Sequence, residues 1–136
     1  MVQVSWHKPP DGKYKLNIDG SYEPNSSNGR TRGVIRDHLG MWIVGFTCKI
    51  KPRNVLHAEV LALLHGLKLA KIKNLKHLLV ENDSQVLLNT LYGNNLYSHI
   101  FADCKSLLLQ LEGSSLKHIL REPNAVADLL VNIEDK

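Results

Sequence analysis

The hydrophobic period of the chain changes near Val55, and this change restricts the fold more than any other feature of the sequence. Before it, three segments with strand-like patterns are separated by short turns, at 14–22, 32–37 and 41–50. After it, residues 55–73 repeat their apolar positions with the period of a helix. Three consecutive strands with short connections, the last two joined by a turn that ends at Gly40, predict an antiparallel meander.

The remainder of the chain alternates between strands and helices. Strands are predicted at 77–82 and 115–120, and helices at 85–92, 99–111 and 124–133, with Asn124 as the N-cap of the last helix. The order β-β-β-α-β-α-α-β-α predicts a mixed α/β sheet with helices on its faces. A chain of 136 residues is long enough to bury a sizeable core, so residues 1–136 are expected to form a single domain.

Composition and charge argue against several classes of protein. Cys48 and Cys104 are the two cysteines, and their positions fit neither a zinc site nor a disulfide framework, which predicts a reducing, intracellular compartment such as the cytoplasm or nucleus. The N-terminus lacks the apolar core of a signal peptide, and the apolar stretches are too short to span a membrane. A net charge of +4 permits a polyanionic partner without requiring one.

Glu59 is the charged residue that the helical pattern does not explain. At about 100° per residue, His57, His65, Lys68 and Lys71 fall on one arc of the helix, which we predict to face solvent. Glu59 lies on the opposite, apolar side. A carboxylate on a buried helix face is costly unless something compensates it. One candidate is an Arg or Lys partner at the edge of the sheet, and the other is a metal ion shared with further carboxylates.

Three further acids also lie beside apolar sequence. Asp19 is in the first strand, Asp83 ends the strand at 77–82, and Asp128 is one turn into the predicted last helix, whose N-terminus favours a carboxylate. Taken singly, they can be a turn residue, a helix cap and a dipole partner. Together with Glu59 they form a set of oxygen ligands suited to Mg²⁺ or Mn²⁺. Four such acids can hold two ions roughly 4 Å apart, as in phosphodiester hydrolysis.

Several segments, in their order and spacing, resemble one known family. The matching segments are Trp6-His-Lys-Pro-Pro, Lys15-Leu-Asn-Ile-Asp-Gly-Ser21, Gly33-Val-Ile-Arg-Asp37, Ala58-Glu-Val-Leu-Ala62, Val80-Glu-Asn-Asp-Ser84 and His118-Ile-Leu-Arg-Glu-Pro-Asn-Ala-Val-Ala-Asp128. From Trp6 to Val131 the chain resembles type 1 ribonuclease H proteins, and within them the reverse-transcriptase-like branch, which is abundant in plants and often descends from retrotransposons. The resemblance implies a five-stranded mixed sheet, with three antiparallel strands followed by two parallel ones, flanked by helices.

The resemblance also implies an activity, namely hydrolysis of the RNA strand of an RNA·DNA hybrid with two Mg²⁺ or Mn²⁺ ions. By position, Asp19 would bridge both ions, Glu59 and Asp83 would complete one site, and Asp128 the other. Two residues, Arg121 and His118, are alternatives for assisting proton transfer or product release. Arg121 matches this branch better, while His118 can instead be a cross-strand partner in the fifth strand.

Contacts with nucleic acid are expected, by the same resemblance and from the basic residues, at Gly20, Ser21, Asn54, Ser84, Arg30 and Arg32. The chain departs from many active members, among other respects, in the pair of Asn residues that shortly precedes the helix Glu, which is reduced to Asn54 alone. A non-catalytic nucleic-acid-binding module with the same fold is therefore the alternative function. A 3′–5′ exonuclease is a third, which the order of the acids argues against. The expected partner is an RNA·DNA hybrid or another nucleic acid. The protein is expected to be a monomer and not to associate with a membrane.

Overall fold

The structure is a computed structural model that describes residues 12–82, 97–119 and 128–131. Its elements are β1 (Tyr14–Glu23), β2 (Asn28–Arg36), β3 (Trp42–Ile50), α1 (Val55–Ile72), β4 (Leu78–Asn82), α2 (Ser98–Gln110), β5 (Ser115–Ile119) and β6 (Asp128–Val131). The predicted strands and helices in these ranges are therefore confirmed, with small shifts of their ends, except in the last segment. The predicted helix at 85–92 lies outside the described residues.

The described strands form one sheet in the order β3-β2-β1-β4-β5-β6. Strand β2 pairs antiparallel with both β1 and β3, as the predicted meander requires. Strands β1, β4 and β5 run parallel to one another. This arrangement confirms the predicted sheet of three antiparallel strands followed by two parallel ones. It also places the C-terminal ends of β1, β4 and β5 at the same edge of the sheet.

The last element differs from the prediction. Residues 124–133 were expected to form a closing helix, but Asp128–Val131 is a strand that pairs antiparallel with β5, from Leu116↔Val131 to Ile119↔Asp128. The apolar run Leu129-Leu130-Val131 is compatible with both structures, because a run this short has no decisive period. Pairing with the edge of β5 satisfies the backbone of this segment without intrahelical hydrogen bonds.

Helix α1 packs its apolar stripe against the sheet. Leu16 and Ile18 of β1 meet Leu63 and Leu67 of α1 in one buried cluster. Gly66 lets the helix approach closely, since a Cβ there would lie 2.7 Å from Cδ2 of Leu16. Helix α2 packs beside α1, and the leucines on the predicted wet side of α1, Leu61 and Leu64, are half-buried. Among the described residues, neither helix is long and apolar enough to cross a membrane.

His65 corrects the predicted solvent arc of α1. Its Nδ1 lies 2.7 Å from Oγ1 of Thr31, a fully buried residue of β2. The imidazole also meets the ring of Phe46 edge-on, with centroids 6.2 Å apart. Helical projection could not reveal this contact, because β2 and β3 extend beyond the apolar stripe and reach the flank of the helix. His65 therefore joins α1 to the sheet, while Lys68 and Lys71 are exposed as predicted.

Acidification is expected to destabilise the fold partly through His65. Burial, and to a smaller extent the charge of Lys68, lowers the pKa of His65 below its ordinary value of 6.5. A histidine with a lowered folded pKa stabilises the protein above its unfolded pKa and loses that contribution as the pH falls through the folded pKa. The free energy of unfolding should thus decrease below pH 6.5, and the change His65→Gln should make this decrease smaller.

Urea unfolding of both proteins across this pH range measures the effect. His57, whose pKa is also lowered, contributes to the pH dependence that remains in the variant. The same decrease in both proteins would contradict the contribution of His65.

Candidate functional site

The site is built around a close approach of two backbones, at Gly20 in β1 and the first turn of α1. A Cβ at Gly20 would lie 2.4 Å from the carbonyl oxygen of Ala58 and 2.9 Å from the backbone nitrogen of Glu59. Real Cβ atoms do not tolerate such distances, so glycine is required here. The sequence Asp-Gly-Ser in β1 thereby allows α1 to start directly above the strand that carries Asp19.

Glu59 occupies this contact and is buried, with 5% of its surface exposed. The prediction that it lies on the buried stripe with Leu63, Gly66 and Ala70 is confirmed. Its Oε1 accepts a hydrogen bond from the backbone N–H of Gly20 at 3.3 Å, and its Oε2 accepts one from Nδ2 of Asn82 at 3.2 Å. Both donors are neutral amides, which orient a carboxylate but contribute no positive charge.

Asp19 precedes Gly20 and is exposed at the same point of β1. Its register partner in β2 is Arg32, which is also exposed. Because neighbouring residues of a strand point to opposite faces, Asp19 projects away from α1 while Gly20 faces it. Glu59 reaches the backbone between these two faces. The structure therefore places Asp19 next to the residue whose backbone N–H binds Glu59, near the edge where Asn82 ends β4.

The other two predicted metal ligands are only partly covered by the structure. Asp83 follows Asn82 directly in the sequence and lies outside the described residues. The backbone of Asp128 belongs to β6 instead of a helix, three strands away from β1, which corresponds to about 14 Å across the sheet. Within the described residues, no three His, Cys, Asp or Glu side chains form a group that could hold a metal ion. The four-carboxylate set thus stays a prediction.

Of the two predicted helper residues, the structure describes the backbone of His118. The backbone of His118 is in β5, in register with Asn82 on one side and Leu129 on the other. Arg121 lies outside the described residues. The choice between them therefore stays open.

The residues predicted to bind nucleic acid have identifiable local contacts. Ser21 donates from its hydroxyl to the carbonyl oxygen of Arg30 at 3.4 Å, and Nη1 of Arg30 donates to Oγ1 of Thr47 at 3.2 Å. Asn54 is the N-cap of α1, where its Oδ1 accepts from the backbone N–H of His57 at 2.8 Å. Ser84 lies outside the described residues. Asn54 thus has a structural role that sequence analysis did not assign to it.

His57 fixes the start of α1 two residues before Glu59. Its Nδ1 accepts a hydrogen bond from the backbone N–H of Arg53 at 3.0 Å, and its ring stacks on Tyr97 with centroids 4.7 Å apart. Burial, followed by the charges of Arg53 and His99, lowers the pKa of His57. The neutral ring that can accept this hydrogen bond is therefore favoured, and it stabilises the helix turn that carries Glu59.

A buried ion pair beside the site was missed from the sequence. Nζ of Lys15 lies 3.0 Å from Oε2 of Glu81, with 4% of each side chain exposed. Nδ2 of Asn17 donates to Oε1 of the same Glu81 at 3.1 Å. The alternation of β1, which places Lys15, Asn17 and Asp19 on one face, is visible in the sequence. The sequence does not show that β4, which carries Glu81, is the neighbouring strand. The pair connects β1 to β4 just before the positions of Asp19 and Asp83.

Known proteins resemble this chain in sequence. A family model described as reverse transcriptase-like matches residues 17–133. The chain belongs to this family. A protein of Arabidopsis thaliana named "Putative ribonuclease H protein" is 30% identical over 133 residues, which are 95% of this chain and 22% of that protein. The chain thus spans about a fifth of the length of this relative. The resemblance seen in the sequence segments is confirmed.

Solved structures agree on the fold. Ribonuclease H1 of the archaeon Halobacterium salinarum matches with a TM-score of 0.71 and 19% identity, over 80% of this chain and 86% of that one. LC11-RNase H1, isolated from compost by a metagenomic approach and solved in complex with an RNA/DNA hybrid, matches with a TM-score of 0.68 and 20% identity, over 85% and 91% of the two chains. The chain therefore has the ribonuclease H fold.

Asn82→Asp is expected to destabilise the metal-free protein. The substitution replaces the amide that donates to Glu59 with a second carboxylate inside a buried contact, so Glu59 loses a donor and gains a like charge. We expect a loss of at least about 1–3 kcal/mol in the free energy of unfolding, measured by urea titration in EDTA. Asn25→Asp, at an exposed position in the turn between β1 and β2, is the matched control and should change stability by no more than about 0.5 kcal/mol. Equal effects of the two substitutions would contradict the contact between Asn82 and Glu59.

Proposed function

We propose that the protein is a divalent-metal-dependent endonuclease that hydrolyses the RNA strand of RNA·DNA hybrids. The ribonuclease H fold, the family and the name of the Arabidopsis relative support this activity. One observation carries it beyond the fold: the carboxylate of Glu59 is buried, and its Oε1 accepts a hydrogen bond from the backbone N–H of Gly20, the residue that follows Asp19. A cation bound at this point would offset the cost of burying the negative charge of Glu59.

The donor set of the site suits Mg²⁺ or Mn²⁺. Asp19 and Glu59 provide carboxylate oxygens, and no cysteine lies near them in the sequence. We propose Asp83, next to Asn82, as the third ligand and Asp128 as the fourth. Two such ions, when bound, activate a water molecule and stabilise the charge of the leaving oxygen.

The protein residues around these ligands act by holding them in place. The N–H of Gly20 and the amide of Asn82 each engage one oxygen of Glu59, so its carboxylate has one preferred orientation. The Lys15–Glu81 pair fixes β1 against β4, which keeps Asp19 aligned with the end of β4. We propose Arg121, or alternatively His118, as the group that assists proton transfer or product release.

Substrate binding is proposed along the basic residues next to Asp19. Arg32 lies opposite Asp19, and Arg30 lies opposite Ser21. Cations at these positions can contact phosphates of a strand whose scissile bond lies at the metal ligands. Gly20, Ser21, Asn54 and Ser84 are the proposed contacts for the sugar edge, where a 2′-hydroxyl distinguishes RNA from DNA.

A second candidate function is a non-catalytic nucleic-acid-binding module of the same fold. The role of Asn54 favours it, because the Oδ1 of this residue is already engaged as the cap of α1. The family feature that grips the substrate is then weakened even though the carboxylates are present.

A cleavage panel separates these functions. Hybrid, duplex RNA, duplex DNA and single strands should be incubated with and without Mg²⁺, and only the RNA strand of the hybrid should be cut, in a metal-dependent reaction. Binding of the hybrid without cleavage would favour the non-catalytic module. Cleavage from a 3′ end would favour an exonuclease and contradict the proposal.

Asp19→Asn should weaken Mn²⁺ binding more than Asp128→Asn does. Glu59 binds the backbone of the residue that follows Asp19, whereas the backbone of Asp128 lies about 14 Å from β1 across the sheet. Removal of one charged ligand from a shared site should reduce the affinity by about tenfold or more, while Asp128→Asn should have a smaller effect. Calorimetric titration of the wild type and both variants measures this. Unchanged affinity in Asp19→Asn would contradict the proposed site.

A further inference from the structure

The sheet face opposite α1 carries an ordered row of polar and basic residues beside Asp19. Register pairs Asp19 with Arg32 and Ser21 with Arg30. On the other side of β2, Arg32 pairs with Thr47 and Arg30 with Lys49. Alternation along the strands places all of these on the face that α1 does not cover. A basic strip therefore runs from Asp19 across β2 to β3.

A cavity of about 560 Å³ adjoins this strip. Its walls among the described residues include Asn17, Asp19, Arg32, Val34, Trp42 and Thr47. One side of the cavity is apolar and aromatic, and the other carries a carboxylate and a guanidinium. The cavity thus shares Asp19 with the proposed metal site and Arg32 with the basic strip.

Trp42 forms the aromatic wall and is 64% exposed. Its ring lies against Gly45, since a Cβ at Gly45 would be 2.7 Å from Cζ2 of the indole. The hairpin turn before Trp42 is held by Asp37, whose Oδ1 accepts from the backbone N–H groups of Leu39 and Met41 at 2.9 Å each. The indole is therefore presented to solvent at the start of a braced strand.

The ligand that fits these features has a flat apolar part and an anionic part. An exposed indole offers a stacking surface to a planar ring, and Arg32 offers a charge-assisted contact to an anion. Gly45, under the indole, and Thr47, opposite Arg32, are two residues apart in β3, or roughly 7 Å. One nucleotide covers a distance of this order between its base and its phosphate. Lys49 and Arg30 continue the positive charge for the next phosphate.

We propose that this cavity is a subsite for a single unstacked nucleotide, whose base stacks on Trp42 and whose phosphate contacts Arg32. The inference rests on the proposed function, because it assumes that the phosphates of the substrate strand continue from Asp19 into the basic strip. Bases inside a hybrid are stacked on both faces, so the subsite takes a base at a strand end or in a single-stranded overhang.

The direct test uses Trp42 as its own reporter. The sequence has two tryptophans, Trp6 and Trp42, so all tryptophan fluorescence of the variant Trp6→Phe comes from Trp42. Adenosine 5′-monophosphate should quench this fluorescence in a saturable way. Adenosine should quench it at higher concentration, because it lacks the phosphate, and inorganic phosphate should not quench it. Arg32→Gln should shift the curve for the monophosphate towards that for adenosine.

Variants that keep the fold test the same subsite with nucleic acid. The probe is an RNA·DNA hybrid with a three-nucleotide single-stranded overhang, compared with its blunt form by fluorescence anisotropy in Ca²⁺. Trp42→Ala should weaken binding of the overhang form by about fivefold or more and leave the blunt form unchanged. Trp42→Phe should retain the preference for the overhang. Met41→Ala is the matched control, since Met41 is 62% exposed in the same hairpin and lies outside the cavity walls.

The outcomes separate this subsite from the proposed function. Equal binding of both hybrids by the wild type and by Trp42→Ala overturns the subsite, even if the wild type cleaves hybrids. Quenching by inorganic phosphate as strong as that by the monophosphate also overturns it, since no base is then recognised. Saturable quenching by the monophosphate, which Arg32→Gln shifts towards the curve for adenosine, supports the subsite even if the wild type cleaves no hybrid, in which case the proposed function alone fails.

Discussion

The backbone contact between Gly20 and the first turn of α1 is the constraint on which the site depends. Any side chain at position 20 would move α1 away from β1, since the space is filled by Ala58 and Glu59. The contact lets a helix residue reach the backbone of a central strand. Because of it, Glu59 meets the N–H of Gly20 and the amide of Asn82, and both α1 and β4 contribute to one point of the sheet.

Two buried glutamates show how differently this fold treats a carboxylate. Glu81 is 4% exposed and forms an ion pair with Lys15, an arrangement that compensates its charge within the protein. Glu59 is 5% exposed, and the contacts described above come from neutral amides. Glu81 belongs to β4 and Glu59 contacts the end of β4 from α1, so the two side chains lie on opposite faces of the sheet. An ion-paired carboxylate can therefore be compared in the same molecule with the carboxylate that we propose as a cation ligand.

Much of the fold could be predicted because hydrophobic period and turn residues act locally. The meander, α1, α2 and the parallel strands follow from such patterns, and Glu59 stood out because it broke one. The strand Asp128–Val131 was predicted as a helix, since a short apolar run does not distinguish the two. The Thr31–His65 and Lys15–Glu81 contacts were not predicted either, because they depend on which strands become neighbours. Asn82 was missed for the same reason: its role exists only once Glu59 is beside it.

The most direct test of the account compares Glu59→Gln with Glu81→Gln by melting temperature in EDTA. If Glu59 is kept for a cation, its neutralisation should leave the metal-free fold unchanged or more stable, since charge repulsion among the acids decreases. Glu81→Gln should lower stability by about 3–5 kcal/mol, because it removes the buried carboxylate that forms an ion pair with Lys15. Addition of Mg²⁺ should stabilise the wild type and Glu81→Gln but not Glu59→Gln. A loss of stability in Glu59→Gln as large as that in Glu81→Gln would contradict the account, because Glu59 would then serve the fold.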